Sequence, residues 1–366
     1  MKRIFVLISL IFSAQTLTAQ QLVENLIVVT TDGLRWQDVF TGMDPEIATN
    51  RKYNQGDSAY IFANFYDTDP LKRRKKLMPF LWSVIQSQGQ IYGNKLLDNK
   101  VNNANPYWFS YPGYNEIMTG FPDTAVNSNE YKPNPHITVL EYLNAQPGYR
   151  GKVVAFGAWN AFDRILNEQR AGFEVVNGFD TVRQPLNAQQ QLVNQMLKNS
   201  YRPFGDAECL DVFTHYAAME YIKARSPRVV YISYGETDEW AHHGYYRSYL
   251  DATRQVDRWL GELWSYIQSN PTYRNKTAML ITVDHGRGGI NKDQWTDHGQ
   301  GVPDASEIWF AVIAPGVVPA AGEINKPMQL YQKQLAQTMA KLMGKKYTAP
   351  HEISEAVLEI WQQKAK

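Results

Sequence analysis

The chain has 366 residues, of which 37 are Lys or Arg and 36 are Asp or Glu, so its formal net charge is only +1. This near-neutral balance argues against a general nucleic-acid binder, which needs a basic surface to neutralise phosphates. The single cysteine, Cys209, leaves no partner for an intramolecular disulfide.

The first twenty residues have the pattern of a secretory signal peptide. A basic tripeptide, MKR, precedes the apolar run Ile4–Phe12, and small and polar residues lead to a cleavage position near Ala19. The run is too short to span a bilayer, and no later segment is long and apolar enough. We expect residues 1–20 to be removed and the mature protein to be exported, periplasmic or extracellular, with no membrane anchor.

Apolar, β-rich runs alternate with helical patterns along the rest of the chain. The runs are Leu26–Thr30, Lys152–Phe156, Val229–Ser233, Ala278–Val283 and Trp309–Ala314. The helical patterns are Ile137–Leu143, Cys209–Ala224, Tyr249–Ser269 and Gln329–Met343. This alternation is typical of a mostly parallel sheet covered by helices on both faces. The sequence therefore predicts an α/β fold, a three-layer α/β/α sandwich in one domain over residues 21–366.

Polar stretches rich in Asn, Pro, Tyr and Gly interrupt this pattern, and we interpret them as long loops or a small cap. They are Thr41–Pro70, Asn102–Pro112, Asn127–Pro135 and Phe179–Pro203, so that residues 41–80 and 180–205 are the expected insertions. The basic run Lys72–Lys76 could form an anion or membrane patch, but it is better explained as the solvated start of a helix. The side chains that this helix would bury are Leu77, Phe80, Leu81 and Ile85.

The first strand ends in an aspartate, in the stretch VVTTDGLRWQD. Asp32 and Gly33 form a common turn pair, which alone explains why a poor strand former stands there. Strand ends of an open α/β sheet are also where ligand groups are mounted. The partners that the chain supplies for Asp32 decide between these interpretations.

A nucleophile candidate follows in NPYWFSYPGYNEIMTG. Ser110 precedes Pro112, which suits the first turn of a helix predicted over Gly113–Thr119. A serine at a helix N-terminus faces unpaired N–H groups and the positive end of the helix dipole, which favours an anionic ester. The same position suits an ordinary N-cap, and these residues alone favour the cap.

Three further stretches place Asp or His where a strand or loop ends. In YGETDEWAHHG, Asp238 and His242 are four apart, so a helical turn puts both on one face. In ITVDHGRGG, Asp284 and His285 converge only if the strand has ended, and the glycines permit that turn. His298 lies in a glycine-flanked loop. Together these residues predict a metal site.

Two neighbouring residues have ambiguous roles. His243 points away from the helical face that Asp238 and His242 would share. Asp297 precedes His298 and is a candidate to orient its imidazole by a hydrogen bond. Neither is counted among the predicted ligands.

The order Asp32, Ser110, Asp238-x-x-x-His242, Asp284-His285 and His298 resembles the alkaline phosphatase superfamily. This superfamily includes nucleotide pyrophosphatase/phosphodiesterases, cofactor-independent phosphoglycerate mutases and sulfatases. The resemblance spans Leu26 to Gly316. SYPGYNEIMTG is similar to the nucleophile segment of the phosphodiesterase branch, with Ser in place of Thr, and this raises Ser110 from cap to expected nucleophile.

The resemblance implies a pair of divalent metal ions. One would be held by Asp238, His242 and His298, and the other by Asp32, Asp284 and His285 together with the Ser110 oxygen. Imidazole and carboxylate ligands without thiolate suit zinc first, with manganese or iron as alternatives. The implied reaction is in-line attack of Ser110 on phosphorus, through a phosphoseryl intermediate that water then cleaves.

The residues that would bind the phosphate oxygens are less clearly marked. Asn129 is favoured over Asn127 for the asparagine that this branch places beyond the nucleophile. The candidates for a cation that would bind a dianionic monoester are Arg164, Arg287 and Lys132. Each of the three has an alternative role as an ordinary surface or supporting charge.

The sequence favours a phosphomonoesterase that acts on a small phosphate ester, with phosphodiester or nucleotide-pyrophosphate hydrolysis as the alternative. A sulfatase is disfavoured because Tyr114 stands where its motif needs arginine, and a mutase because Ser110 and Asp238 are too close for its inserted domain. A non-catalytic binding protein is disfavoured because no ligand position is missing. Aromatic residues around the motifs could form a stacking wall for an aryl leaving group or nucleobase, or simply pack the loops. They are Tyr107, Trp108, Phe109, Tyr111, Tyr114, Trp240, Tyr245 and Tyr246.

Overall fold

A computed structural model describes residues 23–183 and 185–364, so the expected signal peptide lies outside the described residues. The strands are β1 (Asn25–Thr31), β2 (Gln90–Tyr92), β3 (Asn99–Asn102), β4 (Val153–Gly157), β5 (Glu174–Asn177), β6 (Val229–Tyr234), β7 (Thr277–Thr282), β8 (Glu307–Ile308), β9 (Phe310–Ile313), β10 (Gly322–Glu323) and β11 (Met328–Tyr331). The α-helices are α1 (Trp36–Thr41), α2 (Pro45–Thr49), α3 (Arg51–Asn54), α4 (Ser58–Phe65), α5 (Pro70–Leu77), α6 (Gln86–Gln88), α7 (Ser110–Thr119), α8 (Val139–Ala145), α9 (Phe162–Ile165), α10 (Glu168–Ala171), α11 (Ala188–Lys198), α12 (Asp211–Arg225), α13 (Glu236–His242), α14 (Tyr246–Ser269) and α15 (Leu335–Leu342). A π-helix covers Leu81–Ile85, and short 3-10 turns cover Lys95–Leu97, Lys292–Thr296, Pro303–Ser306, Gln332–Gln334 and Leu358–Trp361.

The main sheet has eight strands in the order β10-β2-β9-β7-β1-β6-β4-β5. The strands from β7 through β1, β6 and β4 to β5 are parallel, whereas β9 runs antiparallel to both of its neighbours. A small sheet, β11-β3-β8, lies apart from it. The predicted mostly parallel sheet is confirmed.

Burial explains why the strands are apolar throughout. Every residue of β1, β4, β6, β7 and β9 is buried, so side chains that alternate between the two faces are covered on both sides. Helices supply the cover; α14 buries an apolar stripe that runs from Tyr246 to Ile267. The predicted α/β fold with a covered central sheet is confirmed.

The stretches interpreted as loops or a small cap contain helices that the sequence patterns did not predict, and one predicted helix is divided. The stretch Thr41–Pro70 contains three helices, and the Asp44 carboxylate caps the first of them by accepting from the Glu46 and Ile47 N–H groups. Phe179–Pro203 likewise contains α11, which begins with a capping box at Asn187. The pattern over Gln329–Met343 is split between β11, a 3-10 turn and α15.

The basic run Lys72–Lys76 lies inside α5, not at the start of a longer helix. The helix ends at Leu77, and the π-helix begins four residues later. Leu77, Leu81 and Ile85 are buried as expected. Arg74 is buried too, because its guanidinium packs 3.4 Å from the ring centre of Trp82 and pairs with Glu323 at 2.9 Å.

The topology decides where functional side chains meet. Strand β1 lies between β6 and β7 and is parallel to both, so the residues that follow these three strands emerge at one edge of the sheet. Across residues 23–183 and 185–364, none of the helices combines the length and the hydropathy that a bilayer-spanning segment needs.

Candidate metal centre

The edge beyond β1, β6 and β7 collects all the predicted metal ligands. Asp32 directly follows β1, Asp238 and His242 lie on α13 after β6, and Asp284 and His285 follow β7 after one more residue. A loop brings His298 to the same place. The structure therefore assembles six side chains that the sequence spreads over more than 260 positions.

The first group consists of Asp32, Asp284 and His285, all buried. His285 Nε2 lies 3.2 Å from Asp32 Oδ1 and 3.3 Å from Asp284 Oδ2. The other ring nitrogen, Nδ1, contacts the Gly286 carbonyl oxygen at 2.9 Å. Because a carbonyl only accepts, Nδ1 carries the proton, and Nε2 is the nitrogen that faces the carboxylates.

The second group is built on α13. His242 Nε2 lies 3.0 Å from Asp238 Oδ2, because the two residues are one helical turn apart. It also lies 3.0 Å from His298 Nε2. His298 Nε2 and His285 Nε2 lie 3.8 Å and 3.7 Å from Asp238 Oδ1, so His285 is within reach of both groups.

Gly33 explains why the first strand ends in Asp-Gly. Its φ is +57°, which disfavours any residue with a Cβ. A Cβ placed there would lie 2.6 Å from Asp238 Oδ1 and 2.9 Å from Arg287 Nε. Its N–H also donates to Asp284 Oδ1 at 3.1 Å. The pair is therefore required by close packing beneath the site as well as by the turn.

Burial makes the two carboxylates of the first group resist ionisation. It raises the pKa of Asp32, and Asp238 raises it further. Burial and the neighbouring Asp32 raise the pKa of Asp284 well above its ordinary value. Burial lowers the pKa of His285, but Asp284 and Asp32 outweigh it and raise that pKa to about 9. Carboxylates crowded in this way favour a positive charge between them.

Ser110 lies beside the first group. It is the first residue of α7, and its Oγ lies 3.4 Å from His285 Nε2. Ser110 does not have the alternative N-cap role, since Phe109 is the N-cap and has no side-chain hydrogen bond. The preceding Trp108 has φ of +53°, a strained conformation for an aromatic residue.

Tyr114 has a role that the sequence did not reveal. Its hydroxyl donates to Asp32 Oδ2 at 2.9 Å and accepts from Ser233 Oγ at 3.1 Å. Thr30 in turn donates to Ser233 at 2.9 Å. Tyr114 stands four residues after Ser110, so one helical turn of α7 places the hydroxyl nucleophile and a support for Asp32 on the same face. The four-residue spacing between Ser110 and Tyr114 is the sequence signal that could have identified Tyr114.

The structure separates the two asparagine candidates. Asn129 Oδ1 accepts from the Tyr111 N–H at 3.0 Å, which ties it to the first turn of α7. Its Nδ2 has no hydrogen-bond partner among the described residues. Asn127 is exposed and makes no such contact.

Two of the three cation candidates, Arg164 and Arg287, are bonded to other groups of the protein. Arg164 donates to the carbonyls of Asn129 and Tyr131 at 3.3 and 2.9 Å, and Lys132 is exposed. Arg287 is buried and pairs with Asp238. The guanidinium groups of Arg164 and Arg287 are therefore already bonded within the protein.

Two ambiguous residues are resolved. His243 is exposed, and its Nδ1 donates to the Glu239 carbonyl at 2.8 Å, in keeping with its exclusion from the ligands. Asp297 does not orient His298. Its carboxylate accepts from Thr296 Oγ1 at 3.0 Å, whereas His298 Nδ1 is buried without a partner.

The aromatic residues divide between packing and exposure. Tyr111, Tyr114 and Tyr246 are fully buried and belong to the core, so they form no wall facing solvent. Trp240 stacks on Tyr245 with ring centres 6.1 Å apart, and this pair is partly exposed beside the second group. The stacking surface is therefore smaller than the sequence allowed.

The ligand set fits divalent cations. Asp32 Oδ1 and Asp284 Oδ2 are buried and have no hydrogen-bond donor, yet both face His285 Nε2. Buried charged oxygens without a donor are costly unless a cation binds them. Imidazole nitrogens and carboxylate oxygens without thiolate are the ligands that zinc, manganese and iron accept.

Comparisons with known proteins identify the family of this chain. Residues 26–363 match the family described as type I phosphodiesterase / nucleotide pyrophosphatase. No match was found among curated protein sequences.

Three solved structures share the fold at low sequence identity. The alkaline phosphatase PafA superposes with a TM-score of 0.60 and 9% identity, covering 94% of this chain and 100% of that one. The 2-O GAG sulfatase BT1596 gives 0.59 and 15%, covering 94% and 75%. The phosphonate monoester hydrolase of Agrobacterium radiobacter gives 0.57 and 12%, covering 94% and 78%. At these identities the likeness shows the fold alone.

Proposed function

Because the chain belongs to the type I phosphodiesterase / nucleotide pyrophosphatase family, within the alkaline phosphatase superfamily, we propose that it is a metal-dependent hydrolase of phosphate diesters. The observation that carries this proposal is the Ser110 hydroxyl, held 3.4 Å from His285 between the start of a helix and two ligand groups. We further propose that the enzyme acts after export, on a small phosphate ester.

Two divalent ions, with zinc the first choice, would be held by the two groups. When bound, they supply Lewis-acid stabilisation for the serine oxygen and for the oxygen that leaves phosphorus. Ser110 provides the nucleophilic oxygen, and the phosphoryl group passes to it before water releases the product. Asn129 Nδ2 donates to a non-bridging phosphate oxygen, since its Oδ1 is already anchored on the Tyr111 N–H. Tyr114 holds Asp32 in its ligand orientation.

The positions of the cations are the basis on which we favour a diester over a monoester. A diester carries one negative charge at its phosphate, whereas a monoester carries two near neutral pH and gains more from a nearby cation. Arg164 is bonded to two backbone carbonyls and lies 3.6 and 3.7 Å from Glu130 and Asp163, so its charge is already balanced. This arrangement supports the diester over the monoester that the sequence favours.

Monoester hydrolysis remains the second candidate because of one contact. Arg164 Nη1 lies 3.3 Å from the Asn129 carbonyl, so a small loop shift would bring a cation to the phosphate. A paired assay separates the two activities: kcat/KM is measured for methyl 4-nitrophenyl phosphate and for 4-nitrophenyl phosphate, with the aryl sulfate as a third substrate. We expect the diester to exceed the monoester by about 10-fold or more, and the sulfate to be slowest.

Arg164→Gln provides the matched control for this assay. Diester turnover should stay within about 3-fold of wild type, because the diester makes no use of that charge. A monoester rate that exceeds the diester rate and collapses in Arg164→Gln would instead establish a phosphomonoesterase. No turnover of any of the three esters by metal-loaded protein would contradict both candidates.

A further inference from the structure

Arg287 follows the Asp284-His285-Gly286 sequence and is bonded to a metal ligand of the other group. Its Nη2 donates to Asp238 Oδ1 and, at 3.2 Å, to the Asp238 carbonyl, while Nη1 donates to the Thr296 carbonyl at 2.6 Å. The guanidinium is therefore fixed on three acceptors inside the protein. Of the two Asp238 carboxylate oxygens, only Oδ2 is not bonded to the guanidinium, and Oδ2 lies 3.0 Å from His242 Nε2.

The two groups consequently differ in charge. Asp32 and Asp284 give the first group two carboxylates, and among the described residues their ion-pair partner is the ligand candidate His285 rather than an arginine or lysine. The second group has the single carboxylate of Asp238, and Arg287 cancels its charge. A divalent ion is attracted to a doubly negative site more strongly than to one that is already neutral.

The two groups also differ in exposure. Asp284 and His285 have no exposed side-chain surface, and Asp32 has 9%. In the second group, His242 is 40% exposed, and water therefore screens its interactions more strongly. The smaller negative charge and the greater exposure both weaken the attraction of the second group for an ion.

We propose that Arg287 makes the two ion sites unequal, so that the site of Asp238, His242 and His298 binds its ion more weakly and releases it first. This inference rests on the proposed dinuclear centre. It assigns Arg287 as a positioning residue that acts on the ion through Asp238. The weak site is then the one through which the metal content of the enzyme responds to metal supply.

Stepwise binding of Zn²⁺ to the metal-free wild-type protein tests this directly. With a competing chelator, we expect two ions with dissociation constants about 10- to 100-fold apart. After the weaker ion is removed by dialysis, anomalous X-ray diffraction should show the remaining zinc at Asp32, Asp284 and His285. Equal affinities, or retention of the zinc at Asp238, would overturn the inference. Binding of fewer than two ions at saturation would instead contradict the proposed function.

Two variants isolate the effect of the guanidinium. Arg287→Met removes the charge and the bonds to Asp238, and should tighten the weaker Zn²⁺ constant by about 10-fold or more while leaving the tighter one unchanged. Arg287→Lys retains the charge and should stay near wild type. Arg74→Met, which removes a buried arginine paired with Glu323 far from the ligands, should change neither constant. Weaker binding in Arg287→Met would show that Arg287 supports Asp238 and would refute the proposal.

Discussion

Two buried clusters of charged residues lie beside the loop that follows β7, one around Arg35 and Asp38 and one around Asp32 and Asp284. Only in the first does every carboxylate oxygen have a hydrogen-bond donor. Arg35 donates to both oxygens of Asp38, at 2.8 and 3.0 Å, and to the Gly288 carbonyl at 3.1 Å. Tyr246 and Tyr249 add hydrogen bonds to the same carboxylate at 3.0 and 2.9 Å. This cluster is neutral, and every oxygen of the carboxylate has two donors.

The candidate metal centre has the opposite character, although Asp284 and His285 come from the same loop as Gly288. Asp32 Oδ1 and Asp284 Oδ2 are as deeply buried but have no donor. Buried charge by itself therefore does not mark a functional site, because the Arg35 cluster has it too. What distinguishes the centre is charge that the protein leaves unbalanced and that a ligand can balance.

The largest effect that sharpens this comparison is the loss of Ser110, the proposed nucleophile. Ser110→Ala should lower kcat/KM by about 10⁴-fold or more, because the oxygen that attacks phosphorus is gone. The metal content, measured by mass spectrometry, should be unchanged, since six other side chains supply the ligands. Ser265→Ala, at an exposed position on α14, is the control and should behave as wild type. Wild-type turnover by Ser110→Ala would exclude Ser110 as the nucleophile.

The complete cluster should respond in stability instead. Arg35→Met leaves the Asp38 carboxylate buried without its cation and should lower the free energy of unfolding by about 3–5 kcal/mol, measured by urea denaturation. The double variant Arg35→Met/Asp38→Leu should recover much of this loss, because no unpaired charge remains. Arg247→Met, at a half-exposed pair with Asp57, should cost less than about 1 kcal/mol. A loss in the double variant as large as in Arg35→Met would mean that shape, not charge, is what this cluster provides.

The parts of this arrangement that the sequence predicted are local. An apolar run followed by Asp, and the four-residue spacing of Asp238 and His242, are visible in short windows because strands and helical turns have fixed geometry. The parallel sheet then brings the strand ends together without further information. This is why the fold and the convergence of the ligand positions could be anticipated.

The supporting contacts could not be anticipated, because they join residues far apart in sequence. Tyr114 and Asp32 are separated by 82 positions, and Arg287 and Asp238 by 49. The spacing from Ser110 places Tyr114 on the right face of α7, but the partner in each contact depends on how distant segments pack. The short helices α2 to α4 were missed for another reason: their caps, such as Asp44, are indistinguishable from turn residues in a polar stretch.

His215 tests whether one unsatisfied atom is enough to mark a site. It is buried in a stack on Trp259, and its Nδ1 lies 2.9 Å from the Tyr234 hydroxyl. Its Nε2 makes no hydrogen bond and lies 3.6 Å from Glu262 Oε2. Burial lowers the pKa of His215 from 6.5 to about 3. The neutral ring therefore stabilises the fold above pH 6.5, and this stability is lost as pH falls from 6.5 towards 3.

At pH 5 the loss should reach about 2 kcal/mol relative to pH 7, from 1.36 kcal/mol for each pH unit below 6.5. Urea denaturation at both pH values measures it, and His215→Gln should flatten this part of the profile. His243→Gln, at an exposed histidine, should leave the profile unchanged. If metal binding were altered in His215→Gln, the lone orphan atom would belong to the site after all.

The smallest effect is also the sharpest test of the comparison, because it should change sign with metal. Burial and Asp32 raise the pKa of Asp284 above its unfolded value of 3.8. In metal-free protein this group therefore stabilises the fold most at low pH, and the contribution is lost as pH rises above 3.8. At neutral pH the Asp284 carboxylate is a net cost, so Asp284→Asn should raise the free energy of unfolding of the metal-free protein by about 1 kcal/mol. With saturating Zn²⁺ the order should reverse, because the wild type gains the binding free energy of an ion that the variant holds poorly.

Asp38→Asn, in the complete cluster, should destabilise the protein equally with and without zinc. If Asp284→Asn destabilised the metal-free protein, Asp284 would stabilise the fold without an ion, as Asp38 does. The unpaired oxygens would then not be an energetic cost that metal binding removes.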